Sequence, residues 1–202
     1  MAITTVLFDY SGVLTTPLHL PTEGVPYDPD AVFVEMAAAL GSLDANPWHE
    51  LERGEISLQA YVEYAESRVP GAGVLFEVGS EFNVMKNLEL LEDRLALVAE
   101  LKASGLRVGL VTNNVAEWQP YWKPGLPPGL FEVVIDSADV GCRKPEPAIY
   151  ERAMQELDIT DPATVLFVDD FDWNVEGAVQ AGMSGVHCTI DVDLGVEIRA
   201  AI

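Results

Sequence analysis

Short, largely apolar runs recur along the chain and predict five β-strands. The runs cover residues 3–8, 106–112, 132–136, 164–170 and 184–190. Their apolar positions are mostly consecutive rather than alternating with polar ones. This pattern is typical of strands buried on both faces of a parallel sheet. The runs therefore predict a sheet that other elements cover above and below.

Segments with the apolar spacing of helices separate most of these runs. Residues 88–105, 145–158 and 174–182 each predict a helix, and the first and last of these end at Gly105 and Gly182, a residue that favours helix termination. Strands that alternate with helices indicate an α/β fold. We expect a Rossmann-like, doubly wound parallel sheet with helices on both faces.

The region between the first strand and residue 88 has a different character. Four prolines interrupt residues 16–29, and helical patterns follow at 31–40, with Asp30 as the predicted cap, at 48–54, and after Ser57. No strand pattern intervenes. This region is therefore predicted to be an all-helical insert that follows the first strand.

The charge of the chain restricts its expected partners. Lys and Arg total 11 against 33 Asp and Glu, which gives a formal net charge of −22. No basic stripe is present to neutralise a phosphate backbone, so no nucleic-acid partner is expected, and anionic membrane surfaces should repel the chain. Solubility accounts for most of this acidity. An anionic ligand would therefore need a local positive charge from a metal ion or a lysine.

Location and assembly are only weakly constrained by the sequence. The two cysteines, Cys142 and Cys188, form no disulfide pattern, and residues 1–8 lack the features of a signal peptide. No apolar run reaches the roughly 18 residues of a membrane-spanning helix. These observations favour a cytoplasmic location. The oligomeric state stays open, and a homodimer is one of the arrangements that the sequence permits.

Polar side chains follow three of the predicted strands. Asp9 directly follows the first strand. Thr112 ends the second strand, and Asn113 and Asn114 follow it. Asp169 and Asp170 stand at the end of the fourth strand. Ligands of open parallel α/β sheets bind outside the carboxyl ends of the strands, so these side chains are expected to meet in one crevice. Three carboxylates there would resist joint ionisation unless a cation compensates them. Oxygen ligands without Cys or His favour Mg²⁺ over zinc.

This set of groups suits phosphoryl transfer. A carboxylate nucleophile beside a metal ion, a hydroxyl and a lysine, here Lys144, can form an aspartyl-phosphate while the positive charges stabilise the transferring group. Taken singly, each residue has a structural explanation, such as a turn former or a helix entry. Their convergence at strand ends is what favours a catalytic site.

Four segments that contain these residues resemble the motifs of the haloacid dehalogenase superfamily. They are DYSGVL at 9–14, VTNN at 111–114, RKPEPAIY at 143–150 and FVDDFDWNVEGA at 167–178. The resemblance covers essentially the whole chain. It is nearest to the subgroup with the N-terminal phosphatase domain of soluble epoxide hydrolase and bacterial sugar-phosphate phosphatases.

The resemblance implies a domain organisation and a role for each residue. It implies a core of residues 1–15 and 88–202, with residues 16–87 forming the helical cap. By this resemblance Asp9 is the nucleophile and a metal ligand, and the other metal-site residues are Ser11 through its carbonyl, Asp170, and its acidic neighbour Asp169. The implied substrate-binding residues are Thr112, Asn113 and Asn114. Lys144 is the lysine that bridges nucleophile and phosphate, and Asn174 is a supporting residue.

One position departs from the family pattern. Most phosphatases of this family carry a second Asp two residues after the nucleophile, which protonates the leaving group, whereas this chain has Ser11. General acid–base assistance is worth about 10²- to 10⁴-fold, so its loss should matter most for strongly basic leaving groups. The resemblance implies a Mg²⁺-dependent phosphohydrolase that acts on a small phosphorylated metabolite such as a sugar phosphate. The alternatives are a metal-free 2-haloacid dehalogenase and a catalytically impaired member that binds a phosphorylated ligand or a protein.

Overall fold

A computed structural model describes residues 2–42, 46–189 and 192–202 of the chain. Five strands and nine α-helices lie in these ranges. In chain order they are β1 (Thr5–Phe8), α1 (Pro29–Gly41), α2 (Pro47–Glu52), α3 (Leu58–Arg68), α4 (Glu92–Ala103), β2 (Arg107–Thr112), α5 (Gln119–Trp122), β3 (Val133–Asp136), α6 (Ser137–Val140), α7 (Pro147–Glu156), β4 (Val165–Asp169), α8 (Asp172–Gln180), β5 (Ser184–His187) and α9 (Leu194–Ala201).

The five strands form one parallel sheet in the order β3-β2-β1-β4-β5. The strand β1 is central, and Phe8 lies opposite Leu110 of β2 and Val168 of β4. Because all strands run in the same direction, their carboxyl ends meet at one edge. The predicted α/β class, the parallel sheet and its five strands are confirmed.

Helices cover both faces of the sheet, as the apolar strands require. Successive residues of a strand point to opposite faces. Val6 and Phe8 accordingly belong to one buried cluster, and Leu7 belongs to the other. Helices α4 and α9 supply side chains to the first cluster, and α7 and α8 supply side chains to the second. The sheet is therefore doubly wound, as predicted.

Two predicted helix starts are wrong. The cap of α1 is Asp28, whose Oδ1 accepts hydrogen bonds from the N–H groups of Asp30 and Ala31, so Asp30 lies in the first turn. Helix α4 begins at Glu92 rather than at residue 88. The reason is tertiary: Leu90 forms an antiparallel bridge with Thr15, which holds this stretch extended.

The bridge between Thr15 and Leu90 also joins the two ends of the insert. The chain leaves β1, runs through α1, α2 and α3, and returns to the sheet through this contact. The order of elements agrees with an all-helical insert, whereas its limits at residues 16 and 87 stay a prediction. Within the described ranges, every helix is too short or too polar to cross a membrane.

Candidate active site

Asp9 lies at the carboxyl edge of the sheet because β1 ends just before it. Its N–H still donates to the carbonyl oxygen of Val168, at 2.9 Å, so its backbone is held by the sheet. Its side chain is only 8% exposed. The predicted nucleophile is therefore fixed in place by the central strand and largely shielded from water.

Lys144 lies between two carboxylates at this edge. Its Nζ is 2.7 Å from Oδ1 of Asp9 and 2.6 Å from Oδ2 of Asp169, and the side chain is 1% exposed. The structure thus brings together residues that lie far apart in sequence. A buried ammonium is stable here because two carboxylates compensate its charge.

Asn113 fixes the backbone of Lys144. Its side-chain Nδ2 donates to the carbonyl oxygen of Lys144 at 3.0 Å, and its Oδ1 accepts from the N–H of Lys144 at 2.7 Å. The sequence predicts only a substrate-binding role for Asn113 and does not reveal this contact. The side-chain amide adds a structural function, since it connects the end of β2 to the loop that carries the lysine.

Both carboxylate oxygens of Asp169 accept hydrogen bonds. Its Oδ1 accepts from the N–H of Phe171 at 2.9 Å and from Nδ2 of Asn174 at 3.0 Å, while Oδ2 faces Lys144. Asn174 is in turn fixed by its carbonyl oxygen, which accepts from the hydroxyl of Tyr150. Asn174 therefore holds one oxygen of Asp169 in place, while its supporting role in catalysis stays a prediction.

Asp9, Asp169 and Asp170 form a compact acidic cluster. One oxygen from each lies within 4.8 Å of the others, so the three carboxylates are near enough to surround one cation. Oδ1 of Asp170 is buried and makes no hydrogen bond with the described part of the protein. A buried carboxylate oxygen without a donor is costly. The cluster has the chemistry of a site for a hard divalent cation.

A glycine leaves space for Asp170. Gly12 has φ +76°, a conformation that side chains disfavour, and a Cβ placed on it would lie 2.2 Å from Oδ2 of Asp170. Both the backbone conformation and the close approach require glycine at this position. The turn after the nucleophile is therefore shaped to accept the second carboxylate.

The cluster is electrostatically unfavourable without a further positive charge. Burial, with a smaller contribution from Asp169, raises the pKa of Asp9 to about 7, although Lys144 lowers it. Burial, Asp9 and Asp169 raise the pKa of Asp170 to about 8. Burial also disfavours the charge on Lys144, but the two adjacent carboxylates outweigh it and raise its pKa. A divalent cation would allow Asp9 and Asp170 to ionise together.

The other predicted residues lie in the loops around this cluster. Thr112 is the buried last residue of β2, and Ser11 is half-buried in the turn after Asp9. Asn114 is turned toward its own loop: its Oδ1 accepts from the N–H of Val115, and its N–H donates to Oγ of Ser137. These bonds identify Asn114 as a loop-stabilising residue, and its substrate-binding role stays a prediction.

Two ion pairs join the insert to the core, and the sequence patterns do not predict them. Glu52, the last residue of α2, pairs with Arg143, and both side chains are almost fully buried. Arg53 pairs with Glu146 at 2.9 Å. The partners lie 91 and 93 positions apart along the chain, so no local pattern indicates the pairing. Both pairs reach the loop that carries Lys144.

A family model describes most of this chain. Residues 3–182 match the model of the haloacid dehalogenase-like hydrolases. The chain belongs to this family. The matched range of this hydrolase includes the cluster of carboxylates, the lysine and the helical insert.

Several relatives of this hydrolase have names that describe phosphatases. It is 28% identical to a sesquiterpene phosphatase of Aspergillus oryzae over 97% of this chain and 95% of the relative. It is 28% identical to bifunctional epoxide hydrolase 2 of Rattus norvegicus over 91% of this chain but only 36% of that protein. A glyceraldehyde 3-phosphate phosphatase of Methanothermobacter thermautotrophicus is 29% identical over 43% of this chain and 39% of the relative.

Solved structures share the fold. A HAD family enzyme of Bacteroides thetaiotaomicron has a TM-score of 0.69 and 20% identity over 98% of this chain and 100% of the neighbour. The same neighbour was solved with magnesium and inorganic phosphate, with a TM-score of 0.65. A dehalogenase also matches, with a TM-score of 0.63 and 18% identity over 99% of this chain and 97% of that one. The fold alone therefore does not distinguish phosphatase from dehalogenase chemistry.

Proposed function

We propose that this hydrolase is a Mg²⁺-dependent phosphatase that cleaves small phosphomonoesters through an aspartyl-phosphate on Asp9. The observation that carries the proposal is the position of Lys144, whose ammonium lies between Asp9 and Asp169 at the edge of an acidic cluster. A carboxylate oxygen of Asp9 attacks phosphorus, the bond to the ester oxygen breaks, and the alkoxide leaves and takes up a proton from water. Water then attacks the acyl phosphate and releases inorganic phosphate.

The residues of the site have separate functions in this proposal. Lys144 offsets the negative charge that approaches when a phosphate binds near Asp9. The hydroxyl of Thr112 and the N–H of Asn113 would bind phosphate oxygens. Buried side chains around Asp9 limit the access of water to the nucleophile. Attack by Asp9 on phosphorus is thereby favoured over direct attack by water in the first step.

The cation site is proposed on the oxygen atoms that the cluster offers. Asp9, Asp170 and the backbone carbonyl of Ser11 would hold Mg²⁺, since Oδ1 of Asp170 is buried without a donor among the described residues. Both oxygens of Asp169 already have donors, which favours a role in fixing Lys144 over direct ligation. When bound, the cation neutralises the carboxylates and stabilises charge on the phosphoryl group.

Ser11 predicts which leaving groups are favoured. A serine hydroxyl is a poor general acid at neutral pH, so esters whose alkoxide leaves easily should be cleaved faster. We expect sugar 1-phosphates to turn over faster than sugar 6-phosphates. Ser11→Asp should gain activity mainly on the 6-phosphates, by about 10-fold or more. Faster cleavage of 6-phosphates by the wild type would contradict this inference.

The carbon skeleton of the substrate is tested by a second panel. The names of the relatives point to a sesquiterpene phosphate and to a triose phosphate. The insert contains a cavity of about 180 Å³ whose lining includes Trp48, Tyr61 and Phe76 as well as the charged pair Glu35 and Arg68, but none of the residues of the acidic cluster. Comparing kcat/KM for a 15-carbon isoprenyl monophosphate and for glyceraldehyde 3-phosphate decides between them.

The proposal is tested by assaying a panel of phosphomonoesters with Mg²⁺ and with excess chelator. It predicts release of phosphate that depends on Mg²⁺ and is abolished by Asp9→Asn. Chloride release from a 2-chloroacid in chelator would instead identify the dehalogenase alternative. Tight retention of a phosphorylated ligand without turnover of p-nitrophenyl phosphate would identify the binding alternative.

A further inference from the structure

The loop that carries Lys144 has little regular structure of its own. It connects α6 to α7, and residues 143–146 are closed by two internal hydrogen bonds. The N–H of Glu146 donates to the carbonyl oxygen of Arg143 at 2.8 Å, and the N–H of Arg143 donates to Oε2 of Glu146 at 3.1 Å. These bonds define a short turn but leave its position relative to the sheet undetermined.

Contacts from outside the turn fix that position. From the core, the Asn113 side chain holds both backbone polar groups of Lys144. From the insert, Glu52 pairs with the side chain of Arg143, and Arg53 pairs with that of Glu146. The consecutive residues Glu52 and Arg53 thus hold Arg143 and Glu146, which lie on either side of Lys144 and Pro145. The turn is therefore held on both sides.

The charges are complementary in a way that specifies one arrangement. The acidic residue of the insert meets the basic end of the turn, and the basic residue meets the acidic end. A displacement of the turn by one residue would move Arg143 away from Glu52 and Glu146 away from Arg53, and so would break both pairs. Beside these pairs, Gly54 approaches the carbonyl oxygen of Ala138 so closely that an added Cβ would lie 3.0 Å from it. The end of α2 is therefore seated directly on the core.

We propose that Glu52 and Arg53 of the insert are positioning residues that act through Arg143 and Glu146 to place the Lys144 ammonium against Asp9. The proposal rests on the function proposed above. Neither insert residue touches the reacting groups. The insert would thus contribute to the chemical step as well as covering the site. A misplacement of about 1 Å is enough to cost a reaction about 10²-fold.

The test combines turnover with hydrogen exchange of the Lys144 amide, which donates to Asn113. Arg53→Gln should lower kcat on p-nitrophenyl phosphate by about 10-fold while KM changes less than about 3-fold. The Lys144 amide should exchange about 10-fold faster, while amides of the central strands keep their protection. Arg53→Lys, which keeps the charge, should restore most of kcat. Glu52→Gln should have the larger effect if it folds.

Arg152→Gln is the matched control, because Arg152 forms a surface pair with Glu156 within α7. Equal kcat and equal Lys144 exchange in Arg53→Gln and Arg152→Gln would overturn the proposal. If Glu52 acts through Arg143, Glu52→Gln should lower kcat little further in a protein that already carries Arg143→Gln. If the two substitutions instead lower kcat by the product of their separate effects, the two residues act independently and this route is contradicted. If the wild type cleaves no phosphomonoester, the proposed function fails. The exchange of the Lys144 amide still decides whether the insert positions it.

Discussion

Replacing Gly12 by alanine should separate the cost of backbone strain from the loss of the cation site. Gly12 has φ +76°, and its missing Cβ leaves space for the carboxylate of Asp170. Gly129 offers a matched control, since it has φ +71° but nothing within 4 Å of an added Cβ. Both variants therefore place alanine in the left-handed region, and only one of them displaces a carboxylate.

The shared cost follows from the backbone. A side chain in the left-handed region costs about 1–2 kcal/mol. For a chain of this length, 1 kcal/mol corresponds to about 2–4 °C in Tm, so each variant should lose about 2–8 °C in chelator. Two atoms cannot remain 2.2 Å apart, so in Gly12→Ala the Asp170 side chain must also rotate out of the cluster.

The assay is thermal unfolding with and without Mg²⁺, followed by turnover. Mg²⁺ at about 100 times its Kd stabilises the folded state by about 2.7 kcal/mol, so the wild type and Gly129→Ala should gain several degrees. Gly12→Ala should gain almost nothing. Changing a residue that only supports a metal ligand typically costs about 10- to 100-fold, so displacing the ligand should lower kcat/KM by about 100-fold or more. If Gly12→Ala binds Mg²⁺ and turns over as Gly129→Ala does, the role given to Asp170 is wrong.

Two further predictions concern buried charges. Lys144→Met leaves the two carboxylates beside it uncompensated and should destabilise the fold by about 3–5 kcal/mol in chelator. Urea unfolding measures this loss, and an unchanged unfolding midpoint would contradict the burial of the lysine charge. His49 is buried and neutral, because burial and the nearby arginines lower its pKa to about 4. The unfolded state therefore takes up a proton as the pH falls from about 6.5, and stability should decrease from pH 7 to pH 5 by at most about 2 kcal/mol. The loss of stability between pH 7 and pH 5 that His49 causes should be absent in His49→Gln and unchanged in the control His19→Gln, whose side chain is exposed.

The sheet and the carboxyl-edge residues were predictable because they depend on local patterns. Buried parallel strands must be apolar on both faces, so their ends are visible as abrupt changes to polar residues such as Asp9 and Asp169. Parallel strands bring those ends to one edge regardless of sequence separation. The positions of Asp9 and the acidic pair therefore follow from the fold class, whereas that of Lys144 was implied only by the family resemblance.

Helix ends were harder, because tertiary contacts and neighbouring cap candidates compete there. The leucines at 88–91 have helical spacing, but Leu90 pairs with Thr15 instead. At α1 a local signal was available, since Pro29 fits the first helical position and so favours Asp28 as the cap. Helix α9 was not predicted, although Asp193 caps it through a hydrogen bond to the N–H of Val196.

The contacts around Lys144 could not be predicted from the sequence. Asn113 belongs to a motif, but only the fold shows that its amide faces the backbone of Lys144. Glu52 and Arg53 are two charged residues at a helix end, a place where solvated side chains are common. Their partners become visible only when the insert is seated on the core.

The central claim is that Asp9 becomes phosphorylated during turnover. The most direct measurement is rapid acid quenching of the protein during cleavage of p-nitrophenyl phosphate with Mg²⁺, followed by mass spectrometry of the peptide that contains residue 9. The account predicts a phosphoryl group on Asp9 that is absent in chelator and in Asp9→Asn, and present in the control Asp30→Asn, whose side chain is exposed in α1. Phosphate release without this modification, or full activity of Asp9→Asn, would contradict it.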